Sequence, residues 1–107
     1  MFAHRVKIQL KPNSFIELFQ KNQNQLMPAL RPQKEFCTGL TLIDTIWLTA
    51  IKETSWETKD DAEIYQRTGY PEALKILYGL THSEPVTSIF EISDSGIKQS
   101  KKPVFAC

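Results

Sequence analysis

The stretch EFCTGLTLIDTIWLTAIKETSW, residues 35–56, indicates the fold more directly than any other part of the sequence. It is rich in β-branched and aromatic residues, which favour strands. Asp44 and Thr45 interrupt it with residue types that are common in turns. The pattern predicts an antiparallel hairpin with strands over 35–44 and 46–56.

Both predicted strands of this hairpin carry apolar side chains on both faces. The two sets are Leu40, Leu42, Ile46 and Leu48, and Cys37, Ile43, Trp47 and Ile51. A sheet that helices cover on one face usually keeps its other face polar, so a second cover is needed. In a short chain the simplest cover is a second copy, packed sheet against sheet around a twofold axis. The sequence therefore predicts a homodimer.

The N-terminal stretch FAHRVKIQL, residues 2–10, alternates apolar and polar residues with period two. Phe2, His4, Val6, Ile8 and Leu10 share one face, which predicts a half-buried strand.

The next segment has the pattern of an amphipathic helix. Ser14 and Glu17 form a capping-box pattern at its start. Its apolar stripe, running through about residue 31, consists of Phe15, Leu18, Phe19, Leu26 and Leu30. Pro28 is predicted to kink or shorten the last turn.

After the hairpin, the sequence predicts a broken helix and a final strand. Thr58 and Asp61 form a second capping pattern, and Gly69 is expected to end the helix at its C′ position. Pro71 then restarts a helix in its first turn. The strand PVTSIFEI, residues 85–92, completes the order.

The order of strand, helix, two strands, broken helix and strand predicts an α+β, ferredoxin-like split βαβ fold with an antiparallel sheet. Residues 1–94 are expected to form one domain, and residues 95–107 a C-terminal tail whose apolar end docks on the body or on the partner.

Composition excludes several functional classes from the prediction. The net charge of +1 favours neither nucleic acid nor an anionic membrane as a partner. The N-terminus has no signal-peptide pattern, and no apolar run reaches the ~18 residues of a transmembrane helix. Cys37 and Cys107 have no metal-ligand or disulfide spacing. These features predict a cytoplasmic protein without a metal site.

Four short motifs occur in order along the chain: VKIQLKPNS, SWET, KDDAEIY and YPEAL. In this set the sequence resembles the antibiotic-biosynthesis-monooxygenase-like family of the dimeric α/β-barrel superfamily, over residues 2–92. The resemblance implies a homodimer whose two sheets close into a barrel. It also implies a small pocket in each protomer between the sheet and the second helical region.

The family has several branches with different chemistry. Strand 2–10 lacks the asparagine of the haem-degrading branch, and Leu74 stands near the position of its histidine, so haem is not expected. Trp56 matches a tryptophan of the quinone-forming branch, whereas Lys52 stands where that branch has an asparagine. No Gly-rich phosphate loop occurs either, and we expect no cofactor.

The resemblance makes Trp56, Tyr65 and Tyr70 the candidate pocket residues for a small aromatic ligand. His4, on the apolar face of the first strand, is the candidate catalytic base. A buried histidine with one satisfied nitrogen, and aromatic side chains that only fill a core, are the simpler interpretations of the same residues.

Two functional hypotheses follow. The first is a cofactor-independent monooxygenase or oxidase that acts on a small phenolic or quinol-like compound. The second is a non-catalytic homodimer that binds a small molecule or serves as an assembly module. The missing histidine and asparagine favour the second hypothesis, and Trp56 with the two tyrosines favours the first.

Overall fold

The structure, a computed structural model, describes residues 1–93. Its elements in chain order are β1 (Phe2–Gln9), α1 (Phe15–Lys21), a π-helical segment (Asn22–Leu26), α2 (Met27–Leu30), β2 (Phe36–Asp44), β3 (Thr49–Trp56), α3 (Lys59–Arg67), α4 (Gly69–Leu77), a 3-10 turn (Tyr78–Leu80) and β4 (Val86–Glu91). No helix within this range is long and apolar enough to cross a membrane. The predicted tail and its docking lie outside the described residues.

The four strands form one antiparallel sheet in the order β2-β3-β1-β4. This order, with the helices on one side, confirms the α+β, ferredoxin-like prediction. In the register between β1 and β3, His4 lies opposite Thr54 and Val6 lies opposite Lys52. These four side chains therefore belong to one face of the sheet, because residues directly opposite each other in a ladder share a face.

The face under the helices, which we call the covered face, carries the core. Val6 and Ile8 are buried there, as the period-two pattern of β1 predicts. The helices contribute their own apolar side chains to the same cluster, among them Leu18, Leu26, Leu30, Ala62 and Leu77. Burial of this cluster against the sheet is what orients the helices.

The first helix begins differently from its prediction. The Ser14 side chain makes no capping hydrogen bond, so the capping box is wrong. Its backbone, with φ −96° and ψ 0°, is not in the extended conformation that points a capping hydroxyl back at the helix. Glu17 forms an ion pair with Lys21 one turn later instead. Phe19, predicted to belong to the buried stripe, is 61% exposed.

The irregularity expected at Pro28 occurs one turn earlier. Residues Asn22–Leu26 adopt π-type hydrogen bonding, in which the Met27 N–H donates to the Asn22 carbonyl. Pro28 then lies in the first turn of α2, where its missing N–H is not needed. The chain therefore accommodates the proline by widening the preceding turn, not by ending the helix.

The hairpin forms as predicted, but its loop is longer. The Asp44 carboxylate accepts hydrogen bonds from the backbone N–H groups of Ile46 and Trp47, at 2.9 and 3.1 Å. Leu48 has a positive φ of 53°, so β3 starts only at Thr49. Ile46 and Trp47 consequently lie in the loop and are exposed instead of contributing to a strand face.

The second capping pattern forms. Thr58 accepts a hydrogen bond from the Asp61 N–H at the start of α3. The C′ role expected of Gly69 is wrong, since α3 ends at Arg67, its C-cap Thr68 is in a right-handed conformation, and Gly69 opens α4. Gly69 is required for another reason: a Cβ there would come within 2.7 Å of the Tyr65 ring.

The other face of the sheet, which we call the open face, is covered by no helix of the described chain. Leu40, Leu42 and Phe90 are about half exposed there. Between them, the Arg5 guanidinium binds the Glu53 carboxylate at 2.6 Å and lies 5.6 Å from the centre of the Phe90 ring. The two-sided apolar pattern is therefore present in β2, whereas the centre of the open face is charged.

Candidate functional site

A cavity of about 240 Å³ lies between the covered face and both helical regions. We call it the central cavity. The sheet contributes Val6 and Lys52 to its wall. The remaining lining side chains come from the helical regions and the adjoining loop, and they include Leu26, Leu30, Gln33, Tyr65, Tyr70, Glu72, Ala73 and Leu77. Most of this wall is apolar, which is typical of small-molecule sites.

Tyr65 is held in the cavity wall by the residues around it. It lies on the buried side of α3, and its ring stacks on Trp56 at a centroid distance of 4.9 Å and an angle of 28°. The absence of a side chain at Gly69 leaves room for the ring. Burial raises the pKa of Tyr65 to about 12, with a smaller contribution from Tyr70. The phenol is therefore neutral at physiological pH and can donate a hydrogen bond.

Tyr70 lines the same cavity from the first turn of α4. Burial raises its pKa, and the nearby Glu84 and Tyr78 contribute in the same direction. The central cavity thus has two neutral phenol side chains in its wall, which suits it to a ligand with oxygen atoms on an apolar body.

His4 is buried on the covered face, as its position in β1 predicts. Its ring lies 5.1 Å from the ring centres of both Tyr65 and Tyr70, and its Nε2 contacts the Gln66 side-chain oxygen. Burial lowers the pKa of His4, and the contact with Gln66 acts in the opposite direction. His4 is not one of the side chains that line the central cavity. It supports the two tyrosines from behind.

Trp56 also lies behind the cavity wall. Its indole N–H donates to Thr54 Oγ1 at 3.0 Å, and its ring packs against Phe36 and Tyr65. The structure therefore brings all four predicted site residues into one aromatic cluster. Of these, Tyr65 and Tyr70 line the central cavity, and His4 and Trp56 form the layer beneath them.

Lys52 is a site residue that sequence reasoning missed. Only 6% of it is exposed, and it lines the central cavity from β3. Burial lowers the pKa of its amino group from 10.5 to about 8. No carboxylate among residues 1–93 forms an ion pair with it, and its Nζ lies 3.6 Å from the sulfur of Met27. Counting back from Trp56 in steps of two residues would have placed Lys52 on the same face, because every second residue of β3 shares a face.

The same residues do not form a metal site. Within the described chain, no group of three or more His, Cys, Asp or Glu side chains is arranged to hold a metal ion. His4, the histidine of this region, has its Nε2 occupied by Gln66. The polar groups in the cavity wall are the phenols of Tyr65 and Tyr70, the amine of Lys52, the amide of Gln33 and the carboxylate of Glu72, which pairs with Lys75 at the surface.

Compared by sequence, the chain matches no family model and no curated protein. Solved structures, however, match its fold along nearly the whole length. A Nitrosomonas europaea protein of unknown function superposes with a TM-score of 0.71 and 15% identity, covering 92% of this chain and 95% of that one. A Deinococcus radiodurans protein, provisionally named an antibiotic biosynthesis monooxygenase, gives a TM-score of 0.70 at 14% identity, covering 94% and 100% of the two chains.

A monooxygenase from Streptomyces coelicolor, solved with the ligand nanaomycin D, gives a TM-score of 0.69 at 13% identity. The match covers 92% of each chain. At these identities the likeness concerns the backbone and does not transfer an activity. The chain therefore has the fold of the antibiotic-biosynthesis-monooxygenase-like proteins, as its sequence motifs predict.

Proposed function

We propose that the protein binds a small phenolic or quinol-like molecule in the central cavity and oxidises it with O₂ without a cofactor. The observation that carries this proposal is the composition of the buried part of the cavity wall: an apolar surface, two neutral phenols and one amine with a lowered pKa. Its volume, about 240 Å³, is just below the roughly 300–1,000 Å³ of sites for drug-sized ligands, which favours a molecule of one or two rings.

The proposed reaction needs no external reductant. A phenol converted to a quinone loses four electrons, and one O₂ accepts them: one oxygen atom enters the product and the other leaves as water. The substrate must first lose its phenolic proton, since the phenolate passes an electron to O₂ more readily than the phenol. A base near the substrate oxygen therefore governs the rate.

Lys52 is the buried lining side chain best suited to accept that proton. With a pKa of about 8, roughly a tenth of the amine is neutral at pH 7, compared with less than about one part in a thousand for an ordinary lysine. The Glu72 carboxylate, at the rim of the same cavity, is exposed and pairs with Lys75. Tyr65 and Tyr70 can donate hydrogen bonds to the substrate oxygens. We assign His4, the base expected from the sequence, a supporting role behind the tyrosines, because it does not line the cavity.

Two neighbours with the same fold support this proposal: a protein provisionally named an antibiotic biosynthesis monooxygenase, and a monooxygenase that holds nanaomycin D. We further propose that the protein is a homodimer whose open faces pack together. The half-exposed Leu40, Leu42 and Phe90 supply apolar surface for such contact, around the Arg5–Glu53 pair.

The test is oxygen consumption by the purified protein with a panel of one- and two-ring hydroquinones and naphthols, using ¹⁸O₂ to follow the incorporated atom. Lys52→Met should lower turnover by about 100-fold or more, the usual effect of losing a general base. Tyr70→Phe should weaken binding. Tyr78→Phe is the matched control, because Tyr78 is exposed and does not line the cavity.

Three results would separate the hypotheses. Oxygen consumption that depends on Lys52 supports the enzyme. Tight binding of the same compounds without oxygen consumption supports the non-catalytic binding protein. Absence of both binding and turnover across the panel contradicts the proposal.

A further inference from the structure

A second cavity, of about 350 Å³, lies beside the central one. It lies between α1, the π-helical segment and α2 on one side and β2 and β3 on the other, and it is partly open to solvent. We call it the lateral cavity. Lys52 is the residue that lines both cavities, and the Met27 sulfur that contacts its Nζ belongs to the lateral cavity. The amino group of Lys52 therefore borders the lateral cavity as well as the central one.

Lys52 is a buried cation without a counter-ion in the described chain. Its pKa of about 8 leaves most of it protonated at neutral pH. The thioether of Met27 carries no charge and is only a weak acceptor. A buried ammonium in this situation gains stability from any anion that can reach it, since the attraction between charges is strong where water is excluded.

Two further polar groups beside the lateral cavity have no hydrogen-bond partner. They are Oδ1 of Asn22 and Oγ1 of Thr41, both shielded from solvent. Thr41 lies directly opposite Lys52 in the ladder between β2 and β3, so their side chains share the covered face. Buried polar atoms are nearly always paired, and an unpaired group therefore points to a partner that binds there, either an ordered water or a ligand.

The local backbone presents Asn22 to this cavity. Asn22 is the first residue of the π-helical segment, the irregular turn between α1 and α2. Isolated π-helical turns inside α-helical regions are frequent at functional sites. The widened turn that accommodates Pro28 thus also places an amide side chain on the wall of the lateral cavity.

The charges and the apolar residues of the wall define the class of ligand. Among its described lining residues are two cations, Lys52 and Arg31, and no aspartate or glutamate. Phe19 and Ile43 line it as well, and both are exposed to solvent, at 61% and 42%. An occupant with a negative charge at one end and an apolar body would satisfy both features.

We propose that the lateral cavity binds a small organic carboxylate, with its charged end on Lys52 and Thr41 and its apolar body against Phe19 and Ile43. Asn22 can join by a half-turn of its amide, which presents Nδ2 in place of Oδ1. This site is distinct from the one that holds the proposed substrate, and the inference does not depend on oxidation. A bound carboxylate would also keep Lys52 protonated and so remove the base from the central cavity.

The experiment is isothermal titration calorimetry at pH 7 with octanoate and with octanamide, which has the same body without the charge. Octanoate should bind at least tenfold more tightly. Lys52→Met should abolish this preference. Lys11→Met, which removes an exposed lysine from the loop after β1, should leave it unchanged. Thr41→Val should weaken octanoate binding several-fold.

Octanoate could bind in the central cavity instead of the lateral one. The variant Ala73→Leu tests this, because a leucine at this position of α4 fills the central cavity. Octanoate binding that persists in this variant supports the lateral site, and its loss overturns the proposal. Equal affinities for octanoate and octanamide, no measurable octanoate binding, or a preference that survives Lys52→Met would also overturn it. Because octanoate cannot donate electrons to O₂, none of these outcomes depends on the proposed oxidation.

Discussion

Replacing Lys52 with methionine should stabilise the ligand-free protein, which is an unusual result for a buried side chain. Methionine has a similar length and an unbranched apolar stem, so it can occupy the same space beside Met27 without leaving a large void. The change removes an ammonium that is buried without a counter-ion among residues 1–93.

The magnitude follows from the lowered pKa of Lys52. The folded value of about 8 and the unfolded value of 10.5 differ by about 2.5 units, which corresponds to about 3 kcal/mol. The unfolded chain binds the proton more tightly, so this cost is complete below pH 8. It decreases as the pH rises and vanishes above 10.5. The advantage of Lys52→Met should therefore be about 3 kcal/mol at pH 7 and about 1 kcal/mol at pH 10.

The assay is urea denaturation at both pH values and at one fixed protein concentration, followed by tryptophan fluorescence, which reports on the buried Trp56 and the exposed Trp47 together. At pH 7 the midpoint of Lys52→Met should be higher by roughly 1–3 M urea, given the usual dependence of stability on urea. Lys11→Met, a change at an exposed lysine in the loop after β1, should alter stability by less than about 0.5 kcal/mol. An unchanged or lower midpoint at pH 7, or a gain that does not shrink at pH 10, would refute the reasoning.

Thr58→Ala should destabilise the protein by about 1 kcal/mol in denaturant titrations, because it removes the hydrogen bond that caps α3. Ser14→Ala should cost clearly less stability, because Ser14 makes no capping hydrogen bond. Equal losses would contradict the cap assignments. Leu42→Glu on the open face should convert the proposed dimer to a 12.3 kDa monomer in light scattering at micromolar concentration. Ile64→Glu on α3 should not, and a wild-type monomer would refute the dimer. Since burial lowers the pKa of His4, the unfolded chain takes up its proton first, and stability should fall as the pH drops below 6.5. A similar fall in His4→Leu would show that other groups cause it.

Local patterns in the sequence were sufficient for the element order and for which face of β1 is buried. Period-two alternation from Phe2 to Leu10, the Thr58 cap and the break before Pro71 are all properties of neighbouring residues, and neighbouring residues are what a sequence displays. The aromatic cluster of Trp56, Tyr65 and Tyr70 was also accessible, through the resemblance of its motifs to a family.

The failures concern groups whose surroundings come from distant parts of the chain. The capping pattern at Ser14 was not sufficient, because the backbone conformation after the loop from β1 determines where its hydroxyl points. Gly69 is explained by the ring of Tyr65 packed against it, and no pattern in the sequence shows that contact.

At the candidate site, Lys52 likewise separates what the sequence shows from what only the folded chain decides. The sequence by itself determined that a lysine occurs in a strand, two residues from a threonine and four from a tryptophan on the same face. Only the tertiary structure decided that α1, the π-helical segment and α4 close over this face and leave two cavities at the lysine. Its burial and its lowered pKa result from the packing of helices far away in sequence, because desolvation depends on everything that surrounds a charge and not on its neighbours along the chain.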